Sequence, residues 1–228
     1  MKFTAAALSM LLVLGSCGTS QKTGTAAGAG AGAALGAIVG GLLNNSHRGT
    51  GAAVGAAIGA AVGGTAGNLI GKHMDKVKAQ AEAVKNAQVE TVTDANGLAA
   101  VKVTFDSGIL FKTNKYDLNA NAKTDLAKFA QVLKNNTDCE VAIQGYTDNT
   151  GNDGINLPLS ENRAKSVYNY LSSCGVQGSQ VKSVQGLGSS NPVADNSTAA
   201  GRQANRRVEV YLYASQAMVN AANNGTLK

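Results

Sequence analysis

Asp148 and Arg163 are the side chains of this 228-residue chain whose types and spacing most invite chemistry. Asp148 closes the run Gly145-Tyr146-Thr147-Asp148, and Arg163 follows in Ser160-Glu161-Asn162-Arg163-Ala164. A carboxylate accepts hydrogen bonds from an ammonium, and a guanidinium forks onto a carboxylate through two parallel N–H donors. Held side by side, the pair would read a ligand that carries both charges, such as the end of a free amino acid. The same residues have a plainer use, an aspartate that caps a turn and an arginine that neutralises it. Spacing alone leaves both readings open.

The elements that must position them follow from periodicity. Glu140 to Gln144 alternates polar and apolar residues, the period of a half-buried strand. Gly145 and the run Thr147-Asp148-Asn149-Thr150-Gly151 end it. Ser160 then precedes a helical pattern over 160–173, with Ala164, Val167, Tyr168 and Leu171 on one face and Arg163 in the first turn. The acid is thus expected at a strand end and the base at a helix start, where binding groups usually gather. Upstream, Val89–Thr93 and Leu98–Phe105 flank Asp94-Ala95-Asn96-Gly97, whose Asn-Gly pair is a hairpin signal. Asn119 is placed to cap a helix reaching Asn135. Val181–Gln185 and Arg207–Tyr213 read as further strands, with a short helix over 197–205 before the last. Strands alternating with helices predict an α+β fold: a mixed sheet with helices on one face. About 115 residues suffice for one core of this kind.

The motifs Gly-Tyr-Thr-Asp-Asn-Thr-Gly (145–151), Asn-Leu-Pro-Leu-Ser-Glu-Asn-Arg-Ala (156–164) and Gly-Arg-Gln-Ala-Asn-Arg-Arg-Val-Glu-Val (201–210) together resemble the peptidoglycan-binding C-terminal domain of the OmpA family. The resemblance covers about half the chain, 98–214. It implies an OmpA-like βαβαββ sheet that grips the diaminopimelate of the peptidoglycan stem peptide. By the same resemblance Asp148 and Arg163 hold that residue, with Asn156, Arg206 and Thr147 beside them. Two positions depart from the family pattern. Tyr146 stands where the family usually has His, which leaves the local hydrogen bonding open. Lys112 stands where it often has Asp, and a lysine there would repel an ammonium or attract a second carboxylate.

The chain before this domain has a different character. Residues 1–16 read as a signal peptide, with Lys2 as the charged start and Ala5–Leu14 as the apolar core. Leu14-Gly15-Ser16-Cys17 resembles a bacterial lipobox, which implies cleavage before Cys17 and its lipidation; the alternative is an ordinary signal cleaved after a small residue, with Cys17 incidental. With Gly18 rather than Asp next, the resemblance implies the outer membrane. Two or more acyl chains give stable anchoring. Residues 17–24 form the lipidated end and a polar tether.

In 25–71, Gly28, Gly32, Gly36 and Gly40 recur every four residues, and so do Gly51, Gly55, Gly59, Gly63, Gly67 and Gly71. On a helix these glycines share one face, where another backbone can approach closely. A helix-interior glycine costs about 0.5–1 kcal/mol against alanine, so close packing must offset it. The stretch resembles the glycine zipper of outer-membrane lipoproteins. A membrane-inserted hairpin, a self-associating periplasmic hairpin and a low-complexity linker all remain open. Residues 72–97 are expected to form a helical stalk running into water and a hairpin linker, and 215–228 a loose or weakly helical tail.

The formal charge of +6, with 4% aromatics and no basic run, gives no support to nucleic-acid binding. His47 and His73 have no cysteine or carboxylate at ligand spacing and read as exposed and silent. No residue set suits a metal centre or a nucleophile with a partnered base. The expectation is a binding protein and not an enzyme, without cofactor or metal. Cys139 and Cys174 bracket a strand–loop–helix unit and would be neighbours, so a disulfide between them is expected as one of two outcomes in an oxidising compartment. The functional expectation is an outer-membrane lipoprotein, its C-terminal domain in the periplasm, that binds peptidoglycan noncovalently and tethers membrane to wall. Its partners would be peptidoglycan, outer-membrane lipid and, through the zipper, a second copy of itself. The alternative is a zipper-driven oligomer or pore localised by its wall-binding domain.

Overall fold

The computed structural model describes residues 64–94, 96–112 and 114–227. The signal peptide, Cys17, His47 and the zipper up to residue 63 lie outside them. The elements in chain order are α1 (Gly64–Glu82), β1 (Ala87–Thr93), β2 (Ala99–Asp106), α2 (Ser107–Leu110), α3 (Ala120–Asn135), β3 (Cys139–Gly145), α4 (Asp153–Ser173), β4 (Val181–Gly186), α5 (Ala199–Asn205), β5 (Arg207–Ala214) and α6 (Gln216–Asn223). The architecture is the α+β mixed sheet expected from the sequence.

The five strands lie in the order β1-β2-β5-β3-β4. The β1–β2 hairpin is held at its turn by Asp94, whose Oδ1 accepts from the Asn96 and Leu98 amides at 2.7 and 2.9 Å. β5 inserts antiparallel between β2 and β3, pairing Phe105 with Val208 and Gly145 with Val208 across its two sides. Only β3 and β4 are parallel, and α4 makes the crossover. Alternation sends Val103, Phe105, Val141, Ile143, Val208, Val210 and Leu212 to the helix-covered core. Ala100, Ala142, Tyr211 and Tyr213 pack on the opposite face.

Two segments behave differently from the sequence expectation. The charged stretch from Lys72 does not stand out as a stalk. In α1, Ala66, Ile70, Met74, Val77 and Ala81 are buried at spacings of three and four, so one narrow stripe docks the helix on the sheet beside α3 and α6. The lysines of α1 occupy the other faces. The tail is likewise ordered: Ser215 caps α6 by accepting from the Met218 amide, and Met218, Val219 and Ala222 are buried.

The crossover helix starts earlier than its apolar period. Asn152 caps α4 by accepting from the Ile155 amide, and Pro158 lies inside the helix. A proline in a helix interior argues for a boundary, which is why periodicity placed the start at Ser160. Ser160 is instead the helix's closest approach to the sheet. A Cβ added to Gly145 would stand 2.1 Å from the Ser160 carbonyl oxygen, and one added to Gly186 would stand 2.2 Å from the Glu161 amide nitrogen. The Ser160 hydroxyl also accepts from the Gly188 amide at 2.9 Å. These two glycines, at the ends of neighbouring parallel strands, set the height of α4 above the sheet.

The expected disulfide is corrected. Cys139 and Cys174 are both free. Cys139 points under α1, where its thiol donates to the Met74 sulfur at 3.9 Å. Cys174 caps the far end of α4 beside Tyr170. His73 is corrected too, since its side chain is 15% exposed and its Nε2 stands 3.3 Å from Asp138 Oδ2.

Candidate functional site

A cleft of about 810 Å³ opens where the carboxyl ends of β2 and β3 meet the amino end of β5. Asp148, Arg163, Asn156, Arg206 and Thr147 all line it, together with Phe111, Lys112 and Gln203. The helix α4 supplies Asn156, Leu159 and Arg163 from one face, because its true start at Asp153 puts them at i, i+3 and i+7.

Asp148 sits in the loop after β3 and is 7% exposed. Its Oδ1 accepts from the Thr150 amide at 2.8 Å, and its Oδ2 accepts from Arg206 Nη1 at 2.5 Å. Burial pushes the Asp148 carboxyl up, but the hydrogen bonds from Arg206 and Thr150 and the charge of Arg206 outweigh it and hold the group below the usual carboxylate range. Asn156 steadies this loop, donating through Nδ2 to the Thr150 carbonyl at 3.1 Å. The Thr147 amide donates to the Gly188 carbonyl at 2.8 Å, which fixes the loop's base on the strand ends.

Arg163 is 4% exposed. Its Nε donates to the Lys115 carbonyl at 3.1 Å, and its guanidinium lies 5.4 Å from the centre of the Phe111 ring. Burial, then repulsion from Arg206, lower its proton affinity, and Asp148 opposes them. Its Nη1 is buried and has no hydrogen-bond partner among the described residues, and neither has Thr147 Oγ1. A buried donor without an acceptor costs about 1–3 kcal/mol. Arg163 is held by its root and its flank, and its side chain lines the cleft with one buried fork tip unpaired.

The motif Asn205-Arg206-Arg207 divides three tasks among three neighbours. Arg206 pairs with Asp148. Asn205, which the sequence did not single out, accepts from the Val193 and Ala194 amides at 2.8 and 3.0 Å and so folds the loop beside the cleft. Arg207 points to the other face of the sheet, donates to Glu209 at 2.7 Å and stacks 3.8 Å from the centre of the Tyr146 ring. No periodicity marks such roles, since they depend on contacts between distant segments.

The same face explains the departure at Tyr146. Residues 144 and 146 share a side of the strand, so the Tyr146 hydroxyl donates to Gln144 Oε1 at 2.6 Å and the ring never enters the cleft. Tyr146→Phe is therefore expected to leave ligand binding unchanged while lowering stability by about 1 kcal/mol for the lost hydrogen bond. Parallel binding and thermal-melt measurements check both halves.

A mixed sheet with helices, whose strand ends open on a cleft lined by Asp148, Arg163 and Arg206, is a fold of the OmpA-like kind. Residues 110–206 match the model of the OmpA family, and residues 1–75 match that of the YMGG-like Gly-zipper. The chain thus carries an OmpA-family domain preceded by a YMGG-like glycine-zipper segment. It is 54% identical over 85 residues to the peptidoglycan-binding protein ArfA of Mycobacterium tuberculosis, a match covering 37% of this chain and 26% of ArfA. It is 42% identical over 104 residues to the outer-membrane lipoprotein YfiB of Pseudomonas aeruginosa, covering 46% of this chain and 61% of YfiB. The fold is also that of a MotB-like protein from Desulfovibrio vulgaris, with a TM-score of 0.55 at 21% identity over 65% of this chain and 94% of that one.

Proposed function

We propose that this chain is an outer-membrane lipoprotein that binds peptidoglycan noncovalently and ties the membrane to the wall. The relatives named above, one peptidoglycan-binding and one an outer-membrane lipoprotein, support the class. The observation that carries the ligand assignment is the buried Arg163 fork, whose free Nη1 needs an acceptor, in the same cleft as the ionised Asp148. A diaminopimelate side chain ends in one carboxylate and one ammonium. The carboxylate would take the Arg163 fork, and the ammonium would donate to Asp148. Cys17 would hold the lipid, and the zipper would associate with a second copy or with the bilayer. No step of this reading breaks a covalent bond, so the chain acts as a binding protein rather than an enzyme.

The charges of the cleft refine the ligand. Arg163, Arg206, Arg202 and Lys112 line it against Asp148, which Arg206 already pairs. A ligand with more carboxylates than ammoniums fits best, as a stem peptide has. Lys112 also borders a smaller adjoining cavity of about 540 Å³ lined by Lys115 and Asn119, so a second carboxylate would lie there. Lys112→Glu is expected to weaken wall binding roughly five- to tenfold, the effect of reversing one solvent-exposed charge worth about 1 kcal/mol. Raising the salt should shrink the difference. Equal affinity of the two proteins at low salt would remove Lys112 from the ligand's path.

A further inference from the structure

The described residues hold a group of donor atoms far from the cleft's chemistry. His73 and Met74 are neighbours on α1, and Asp138 and Cys139 are neighbours where β3 begins. Docking α1 on the sheet brings the two dipeptides together. His73 Nε2 stands 3.3 Å from Asp138 Oδ2, and the Cys139 and Met74 sulfurs are 3.9 Å apart. The imidazole, carboxylate and thiol donor atoms all lie within 4.8 Å of one another. Cys139 and Met74 are each 1% exposed, while the Asp138 side chain keeps 35% of its surface in solvent. The group is therefore closed on the core side and open on the carboxylate side.

We propose that His73, Asp138 and Cys139, with the Met74 thioether beside them, form a binding site for a soft, thiophilic metal ion, copper(I) foremost. With metal–ligand bonds of about 2.0–2.3 Å, tetrahedral geometry places ligand atoms roughly 3.3–3.8 Å apart. The nitrogen–oxygen and sulfur–sulfur spacings already stand at those edges. Of the four other edges, the two that join the Cys139 sulfur to the imidazole nitrogen and the carboxylate oxygen are no longer than 4.8 Å, so they close with shifts of about 1–1.5 Å. The donor set selects the ion: thiolate and thioether favour copper(I) or zinc, imidazole suits both, and the hard ions magnesium and calcium prefer oxygen alone.

The Asp138 carboxylate, within 4.8 Å of the thiol and the imidazole nitrogen, supplies the negative charge that a bound cation would meet. On binding, the S–H bond breaks and a sulfur–metal bond forms. One proton leaves to solvent and the oxidation state of the ion is unchanged. Each segment offers only two donors, so the site exists only while α1 is docked. The ion would clip the helix that continues the glycine zipper onto the wall-binding domain.

The test uses the full-length reduced protein, titrated with copper(I) against a chromogenic copper(I) chelator and, separately, with zinc(II). One copper(I) per chain is expected to survive competition, to give a thiolate-to-copper absorption band and to raise the melting temperature. Cys139→Ser should lose that ion, and Cys174→Ser should keep it. His73→Gln leaves Cys139 and its core contacts in place and should weaken retention at least roughly tenfold. It therefore decides the matter even where Cys139→Ser does not fold. Copper lost equally by the parent, or kept equally by the parent and His73→Gln, would overturn the site. Retention of zinc with no retention of copper would overturn the choice of ion.

Discussion

Arg163→Ala is expected to cut the affinity for purified cell wall about a hundredfold, which corresponds to roughly 3 kcal/mol. Arg163 is 4% exposed and its guanidinium is already oriented by the Lys115 carbonyl and the Phe111 ring, so little ordering cost opposes the bond it makes. Truncation would leave a ligand carboxylate inside a cleft with its best donor gone. Arg163→Lys keeps the charge but not the fork, and should recover only part of the loss, because an ammonium cannot repeat bidentate geometry. Asp148→Asn should lose a comparable amount, since it removes the negative charge that meets the ammonium and leaves the Arg206 charge beside Arg163 unneutralised. Sedimentation with cell wall, alongside thermal melts, checks these variants. Melts close to the parent's would place the loss in binding and not in folding.

The second large effect concerns the fold. A chain cut to residues 98–214 covers the stretch that resembles the OmpA family, yet it is expected to lose cooperative folding. It would lack Ile70, Met74 and Val77 from α1 and Met218 and Val219 from α6, all buried. At about 1.5–3 kcal/mol for each side chain, the loss is roughly 7–15 kcal/mol. That equals the typical whole stability of a domain, about 5–15 kcal/mol. A chain starting at Gly64 should melt in one sharp transition. Melting of the 98–214 fragment within a few degrees of it would show that α1 and α6 are ornaments on an independent core.

Much of the sheet was legible because short-range patterns encode it. Glu140 to Gln144 alternates as a strand must, Asn119 sits where a helix needs an acceptor, and Asn96-Gly97 marks the hairpin. What failed was local reasoning about long-range contacts. Pro158 masked the first turn of α4, and with it the face that carries Asn156, Leu159 and Arg163 into one cleft. The charged residues of α1 hid a buried stripe only one residue wide per turn. His73 looked solitary because its partner is Asp138, sixty-five positions later, across a helix–sheet interface. Cys139 and Cys174 belong to one strand–helix unit, but the strand's side chains alternate, and Cys139 faces α1 rather than the end of α4.

One contact in the cleft lay beyond the reach of pattern. Spacing alone could not say that Arg206, fifty-eight positions from Asp148, would be its ion-pair partner. The fold brings them together because β5 lies directly beside β3, with Val208 opposite Gly145. The loop after β3 and the residue before β5 therefore emerge on the same edge of the sheet.

Competition of wall binding by free diaminopimelate tests the central claim most directly. The protein is bound to purified peptidoglycan and challenged with diaminopimelate or with cadaverine, the same five-carbon diamine without either carboxylate. The account predicts release by diaminopimelate and retention in equal cadaverine. Retention in saturating diaminopimelate, or equal release by both, would contradict recognition of a paired carboxylate and ammonium by Arg163 and Asp148.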